Sequence, residues 1–216
     1  MTERGAAVGI FGGTFDPIHT AHLELAELVR VTLDLDRMLL VVANQPWQKE
    51  GERVVTPAED RFAMVEAAAR GWPGLTPSRM EIDRGGPSYT VMTAEALVAE
   101  ATGAGRVPPA LYLVVGADLV PELGTWERSE DLRGLVTLAV VSRPPVASTA
   151  GVVSGKAHPT PQPPPGWRVE RVDGPLVEVS SSAIRDVLER GGSVDDMVPA
   201  EVMHCILRRN LYAVGR

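Results

Sequence analysis

The stretch from Val8 to His22, VGIFGGTFDPIHTAH, constrains the fold more than any other part of the chain. Ala6 to Phe11 is a short apolar run of the length of a buried strand. Gly12-Gly13 follows, a pair that permits positive φ and close approach of backbone to a ligand. Beyond Pro17 the pattern becomes helical, with Leu23, Ala26, Leu28 and Val29 on an apolar face and Glu24, Glu27 and Arg30 outside. Strand, glycine turn and helix start in this order make an anion site, because the first N–H groups and the positive dipole end of the helix converge there. His19 and His22 stand three residues apart at that helix start and are expected to share a face. Two imidazoles beside a phosphate nest suit the charge of a phosphoryl transition state. The glycine pattern matches neither the G-x-G-x-x-G fingerprint nor the Walker A loop. A zinc site would need a third ligand, and the candidates, His158, His204 and Cys205, lie far along the chain.

The run Gly12-Gly13-Thr14-Phe15-Asp16-Pro17-Ile18-His19-Thr20-Ala21-His22 resembles the G-G-[ST]-F-D-P-x-H-x-G-H signature of the bacterial nicotinate-nucleotide adenylyltransferases, members of the nucleotidyltransferase superfamily. Ala21 departs from it, standing where that signature has glycine. A second close match is Val179-Ser180-Ser181-Ser182-Ala183-Ile184-Arg185, which is similar to the family's I-S-S-[TS]-x-I-R. Read by its own chemistry, this segment is a set of hydroxyls opening a helix with an arginine in the first turn, hence a serine cap or a second phosphate site.

Between the two motifs, apolar runs alternate with helical patterns, the arrangement of a parallel sheet whose ligands bind at the carboxyl ends of its strands. Strands are expected at Met38 to Ala43, Met80 to Ile82, Leu111 to Val115 (central), Leu135 to Val141, Trp167 to Val172 and Leu176 to Val179. Asn44 to Lys49 follows the second strand directly and so lies over the site; Lys49 is a phosphate contact or a solvated loop lysine. Thr56-Pro57-Ala58-Glu59 reads as N-cap, N1 proline and capping box of a helix running to about Arg70, with Phe62, Met64 and Val65 inward. Gly85-Gly86 leads into a helix from Ser88 to Ala101, whose first N–H groups face an anion or are capped by Ser88. Asp118, just past the most apolar strand, is a ribose acceptor or a helix N-cap, and Trp126 on its own reads as partly buried core. Pro199 to Arg209 forms a last amphipathic helix, with Cys205 an inert packed thiol. The segment 144–166 is rich in Pro, Ala, Ser, Thr and Gly and is expected to be an extended surface loop.

At 216 residues one α/β domain is the simplest count. A formal net charge of −7 argues against general nucleic-acid or anionic-membrane binding. The single cysteine fits a reducing cytoplasm. There is no signal-peptide pattern and no apolar run of membrane-spanning length.

The resemblance covers nearly the whole chain. It implies a Rossmann-like parallel sheet with helices on both faces and adenylyl transfer from ATP to nicotinate mononucleotide, giving deamido-NAD and pyrophosphate in NAD biosynthesis. It implies ATP contacts by Gly12, Gly13, Thr14, Phe15, His19, His22, Gly116, Ser181, Ser182 and Arg185. His19, His22 and Arg185 would be catalytic. On the mononucleotide it implies Asn44 and Lys49 in the proline-containing loop. The backbone near Tyr89 and Thr90 would receive the nicotinate carboxylate, Asp118 the ribose, and Trp126 would stack on the pyridine ring. Mg²⁺ would accompany ATP without protein side-chain ligands, and relatives of this kind often form homodimers. Two other readings stay open: the same fold acting on nicotinamide mononucleotide or phosphopantetheine, and a nucleotide-binding module without catalysis.

Overall fold

The computed structural model describes residues 5–46, 54–142, 161–174 and 179–213. Six strands form one parallel sheet: β1 (Ala7–Gly13), β2 (Arg37–Val42), β3 (Leu75–Ser78), β4 (Ala110–Gly116), β5 (Val136–Ser142) and β6 (Arg168–Asp173). Their spatial order is β3-β2-β1-β4-β5-β6, so the direction of winding reverses between β1 and β4. That reversal opens a crevice at the carboxyl ends of the strands. The register shows how wide the parting is. β1 pairs with β2 to its last residue, Gly13 opposite Val42, whereas its pairing with β4 ends at Ile10 opposite Leu113. β4 meanwhile stays on β5 to Gly116. The last residues of β1 and β4 therefore diverge, and both strands end there in glycine.

Side chains alternate between two apolar layers, as they must on a sheet covered on both faces. Met38, Leu40 and Val42 face one layer with α1 (Thr20–Thr32), α2 (Ala58–Ala69), α6 (Ser181–Glu189) and α7 (Ala200–Arg208). Val8, Ile10, Leu111, Leu113 and Val115 face the other, with Val91, Ala94 and Leu97 of α4 (Thr90–Gly103) and Leu132 of α5 (Ser129–Leu135). The helix of α1 buries Leu23, Ala26 and Val29, while Leu28 is half-buried.

Four local expectations are corrected. Met80–Arg84 is a short helix, α3, and the strand of that region is Leu75–Ser78. Proline at 77 disguises the strand, and is tolerated because β3 lies at the sheet edge. Thr56 is not a cap: Pro57 holds the N-cap position of α2, and the Thr56 N–H and carbonyl bond instead to the Asp16 carboxylate and the Arg61 side chain. Ser88 neither starts nor caps α4, which begins at Thr90 with Tyr89 before it; the Ser88 hydroxyl accepts from the Asn44 N–H at 2.8 Å. Gly12 and Gly13 have ordinary φ as the end of β1, and the positive φ of the turn falls on Phe15, at 49°. Residues 176–178 of the expected strand at Leu176 to Val179 and most of 144–166 lie outside the described residues, and Val179 itself is not in a strand.

Candidate active site

The crevice floor is Gly12-Gly13. A Cβ on Gly12 would meet nothing within 4 Å, so this backbone faces open space. A Cβ on Gly13 would come within 2.8 Å of the Phe15 ring. The two glycines thus act differently, one leaving the crevice open and the other leaving room for an aromatic side chain. Phe15 is buried, stands edge-on to His22 with ring centroids 5.2 Å apart, and meets Phe11 at 5.7 Å. These rings form a wall behind the histidine.

His19 is the N-cap residue of α1 and His22 the third residue of its first turn. Their rings stack at 3.7 Å. The His19 backbone N–H donates to His22 Nδ1 at 3.3 Å, which places a ring proton of His22 on Nε2. Burial, at 4% exposure, lowers the His19 pKa from 6.5 to about 4, so at neutral pH this imidazole is uncharged. Its Nδ1 is buried with no hydrogen-bond partner among the described residues.

The segment carrying these histidines is tied to the far end of the chain. Arg185 Nη1 donates to the Asp16 carbonyl at 2.6 Å and Nη2 to Ser182 Oγ at 3.0 Å. Ser181 Oγ donates to the Pro17 carbonyl at 2.9 Å. Thr20 donates through both N–H and hydroxyl to the Met197 carbonyl. Ser180 caps α6 by accepting from the Ala183 N–H. The two sequence motifs therefore meet in space, with Arg185 bridging the histidine turn and the start of α6.

On the other side of the crevice, Gly116 ends β4 and the 3₁₀ segment Ala117–Thr125 begins. Asp118 is exposed and folds back: a Cβ on Gly116 would lie 2.3 Å from its Oδ1. Glycine at 116 is what gives that carboxylate its place. Trp126 is half-buried against the α4-side core, and its indole N–H is buried with no partner among the described residues. Asn44 ties two loops together, accepting from Arg61 through its carbonyl and donating from Nδ2 to the Gly86 carbonyl at 3.0 Å. Gly85 and Gly86 both have positive φ, which turns the chain from α3 toward Tyr89. No side chain among the described residues caps α4, so its first-turn N–H groups keep their capacity to bind an anion. Lys49 lies outside the described residues.

Three residues escape a reading of the sequence. Arg61 is 1% exposed and donates to the carbonyls of Thr56, Thr14 and Asn44 at 2.7, 2.7 and 3.2 Å, gathering the loops after β1 and β2 and the entry to α2. Its signal was available: Arg61, Met64, Val65 and Ala68 fall on one helical face, so the arginine sits in an apolar stripe. Asp16 lies inside the first motif, is 1% exposed, and accepts from Tyr212 and Thr56. Tyr212 carries no signal at all, since its partner is 196 residues away. Among the described residues no group of three His, Cys, Asp or Glu is placed to hold a metal ion.

The model of the cytidylyltransferase-like family matches residues 10–187. A probable nicotinate-nucleotide adenylyltransferase of Acidothermus cellulolyticus is 36% identical over 212 residues, 98% of this chain and 97% of the relative. One of Corynebacterium kroppenstedtii is 38% identical over 206 residues, covering 95% and 90%. Among solved structures, a Plasmodium falciparum nicotinic acid mononucleotide adenylyltransferase complexed with NaAD aligns with a TM-score of 0.68 at 17% identity, covering 97% of this chain and 98% of that one.

Proposed function

We propose the reaction that follows from one premise: the chain belongs to the cytidylyltransferase-like family and, within it, to the nicotinate-nucleotide adenylyltransferases. It transfers the adenylyl group of ATP to nicotinate mononucleotide, releasing pyrophosphate and deamido-NAD. The observation that supports this reading is the stacked His19–His22 pair on the turn that Arg185 holds through the Asp16 carbonyl, following the open Gly12 backbone at the switch point of the sheet.

The attacking 5′-phosphate is already anionic, so the reaction needs no general base and no covalent intermediate. The protein's work is alignment of the two phosphates and stabilisation of charge. His19, uncharged at pH 7, has one ring N–H to donate, while His22 is held with Nε2–H available by the His19 backbone. Arg185 supplies a fixed positive charge, and Ser181 and Ser182 stand with it at the start of α6. Gly12, Gly13, Thr14, Phe15 and Gly116 line the ATP side. The substrate form would be Mg²⁺-ATP, the ion supplying charge neutralisation on the nucleotide's phosphates. The uncapped amino end of α4, near Tyr89 and Thr90, takes the nicotinate carboxylate; a neutral carboxamide gains less from a helix dipole. Trp126 stacks on the pyridine ring, Asp118 accepts from the ribose, and Asn44 and Lys49 would bind the mononucleotide with them. The same reading places the protein in the cytoplasm. No helix among the described residues is long and apolar enough to cross a membrane.

The test is His22→Ala in steady-state assays of pyrophosphate release. Turnover should fall about 100-fold or more, with the KM for ATP within a few-fold. Turnover near that of wild type would remove His22 from the reaction. Binding of ATP by the wild type without any pyrophosphate release would favour a nucleotide-binding module.

A further inference from the structure

We infer that Tyr212 is a positioning residue for adenylyl transfer, fixing the histidine-bearing turn through the carboxylate of Asp16; this rests on the function proposed above. The Tyr212 hydroxyl donates to Asp16 Oδ1 at 2.7 Å. It comes from the last described segment of the chain, where Tyr212 breaks a 3₁₀ turn with φ 57° and ψ 27°. A left-handed conformation is unusual for a bulky aromatic residue and persists only where the surroundings hold it. Here the hydroxyl donates to Asp16, meets the Thr56 side chain and approaches Met64 Sδ at 3.8 Å.

Asp16 is the point through which this contact reaches the site. The Thr56 N–H approaches its other carboxylate oxygen at 3.4 Å, and Arg185 donates to its backbone carbonyl at 2.6 Å. On one side of it stands Phe15, itself at φ 49° with its ring edge on His22. On the other, Pro17 and Ile18 lead to His19. A buried carboxylate that loses one donor moves toward its remaining donors or admits water, and its neighbours in the chain move with it. Those neighbours carry both imidazoles. Burial and the Asp16 charge push the Tyr212 phenol well above its ordinary pKa, so it stays a donor throughout the working pH range.

The experiment uses Tyr212→Phe, which keeps the ring and removes the hydroxyl, beside Asp16→Asn and the double variant. A hydrogen bond to a charged group predicts a fall in kcat of about 10-fold for Tyr212→Phe, with both KM values within about twofold. The double variant should lose less than the product of the two single losses, because the Tyr212 hydroxyl acts through the Asp16 side chain. Unchanged kcat would overturn the proposal. So would a loss that merely tracks the folded fraction by circular dichroism, or multiplicative losses in the double variant. Histidine ring resonances give a readout without turnover. Tyr212→Phe should shift those of His19 and His22 and leave that of the exposed His204 unmoved, and equal spectra would overturn the proposal. If the wild type shows no adenylyl transfer, the function fails and these resonances still decide the Tyr212 contact.

Discussion

Lowering the pH from 7 to 5 is expected to weaken the fold by about 2 kcal/mol through His19 alone. The imidazole is buried at 4% exposure, and burial lowers its pKa from 6.5 to about 4. The unfolded chain takes up the proton as the pH falls through 6.5, whereas the folded chain resists until about pH 4. Stability is therefore fully present above the unfolded value and is lost progressively as the pH falls toward the folded one. Over the whole interval the difference of 2.5 units (6.5 minus 4) is worth about 3 kcal/mol. Carboxylates titrate lower in the same range, so the comparison must isolate one residue. His19→Asn keeps a neutral polar side chain and removes the titration. Urea unfolding at both pH values, with equal m-values, gives the stability differences. Wild type should lose about 2 kcal/mol more than His19→Asn between pH 7 and 5. Equal losses would refute the reasoning and place His19 in a solvated setting.

The adjacent glycines separate two effects. Gly12→Ala should leave the melting temperature unchanged and raise the KM for ATP, because the new methyl faces the open crevice. Gly13→Ala should instead destabilise the apo protein by about 1–3 kcal/mol as the Phe15 ring is displaced, and equal melting temperatures for the two would contradict this. Trp126→Ala should weaken nicotinate mononucleotide binding by calorimetry with ATP affinity kept; loss of ATP affinity would move the residue to the other subsite. Arg61→Met should cost about 3 kcal/mol, since three backbone carbonyls lose a fully buried donor, and thermal unfolding should show a drop of about 6–12 °C.

The parallel sheet and its two covered faces were legible because each rests on local pattern, whereas the joining of the histidine motif with the arginine motif was implied only by the family resemblance. β1, β4 and β5 are apolar runs, and α1 and α6 announce their faces by spacing. What was illegible depends on tertiary context. Leu75–Ser78 contains a proline that only an edge position excuses. The three-residue alternation at Met80 to Ile82 mimics a strand, yet Glu81 is buried where it accepts from Thr93 on α4 at 2.7 Å, a partner no local pattern supplies. Ser88 has the chemistry of a cap, but the Asn44 N–H takes its hydroxyl. Gly12-Gly13 look like a positive-φ turn, whereas their use is absence of side chain. Tyr212 and Asp16 meet only because α7 returns the chain to the sheet's carboxyl edge, a consequence of topology that spacing does not encode.

The central claim is tested most directly by initial rates of pyrophosphate release with Mg²⁺-ATP and three acceptors in turn: nicotinate mononucleotide, nicotinamide mononucleotide and phosphopantetheine. Identification of the nucleotide product would accompany each rate. The account predicts a marked preference for the nicotinate form and deamido-NAD as product, which would make Ala21 a neutral departure from the family glycine. Preference for either other acceptor would contradict it, and would overturn the roles given to Tyr89, Thr90 and Trp126 while leaving the phosphate chemistry of His19, His22 and Arg185 in place.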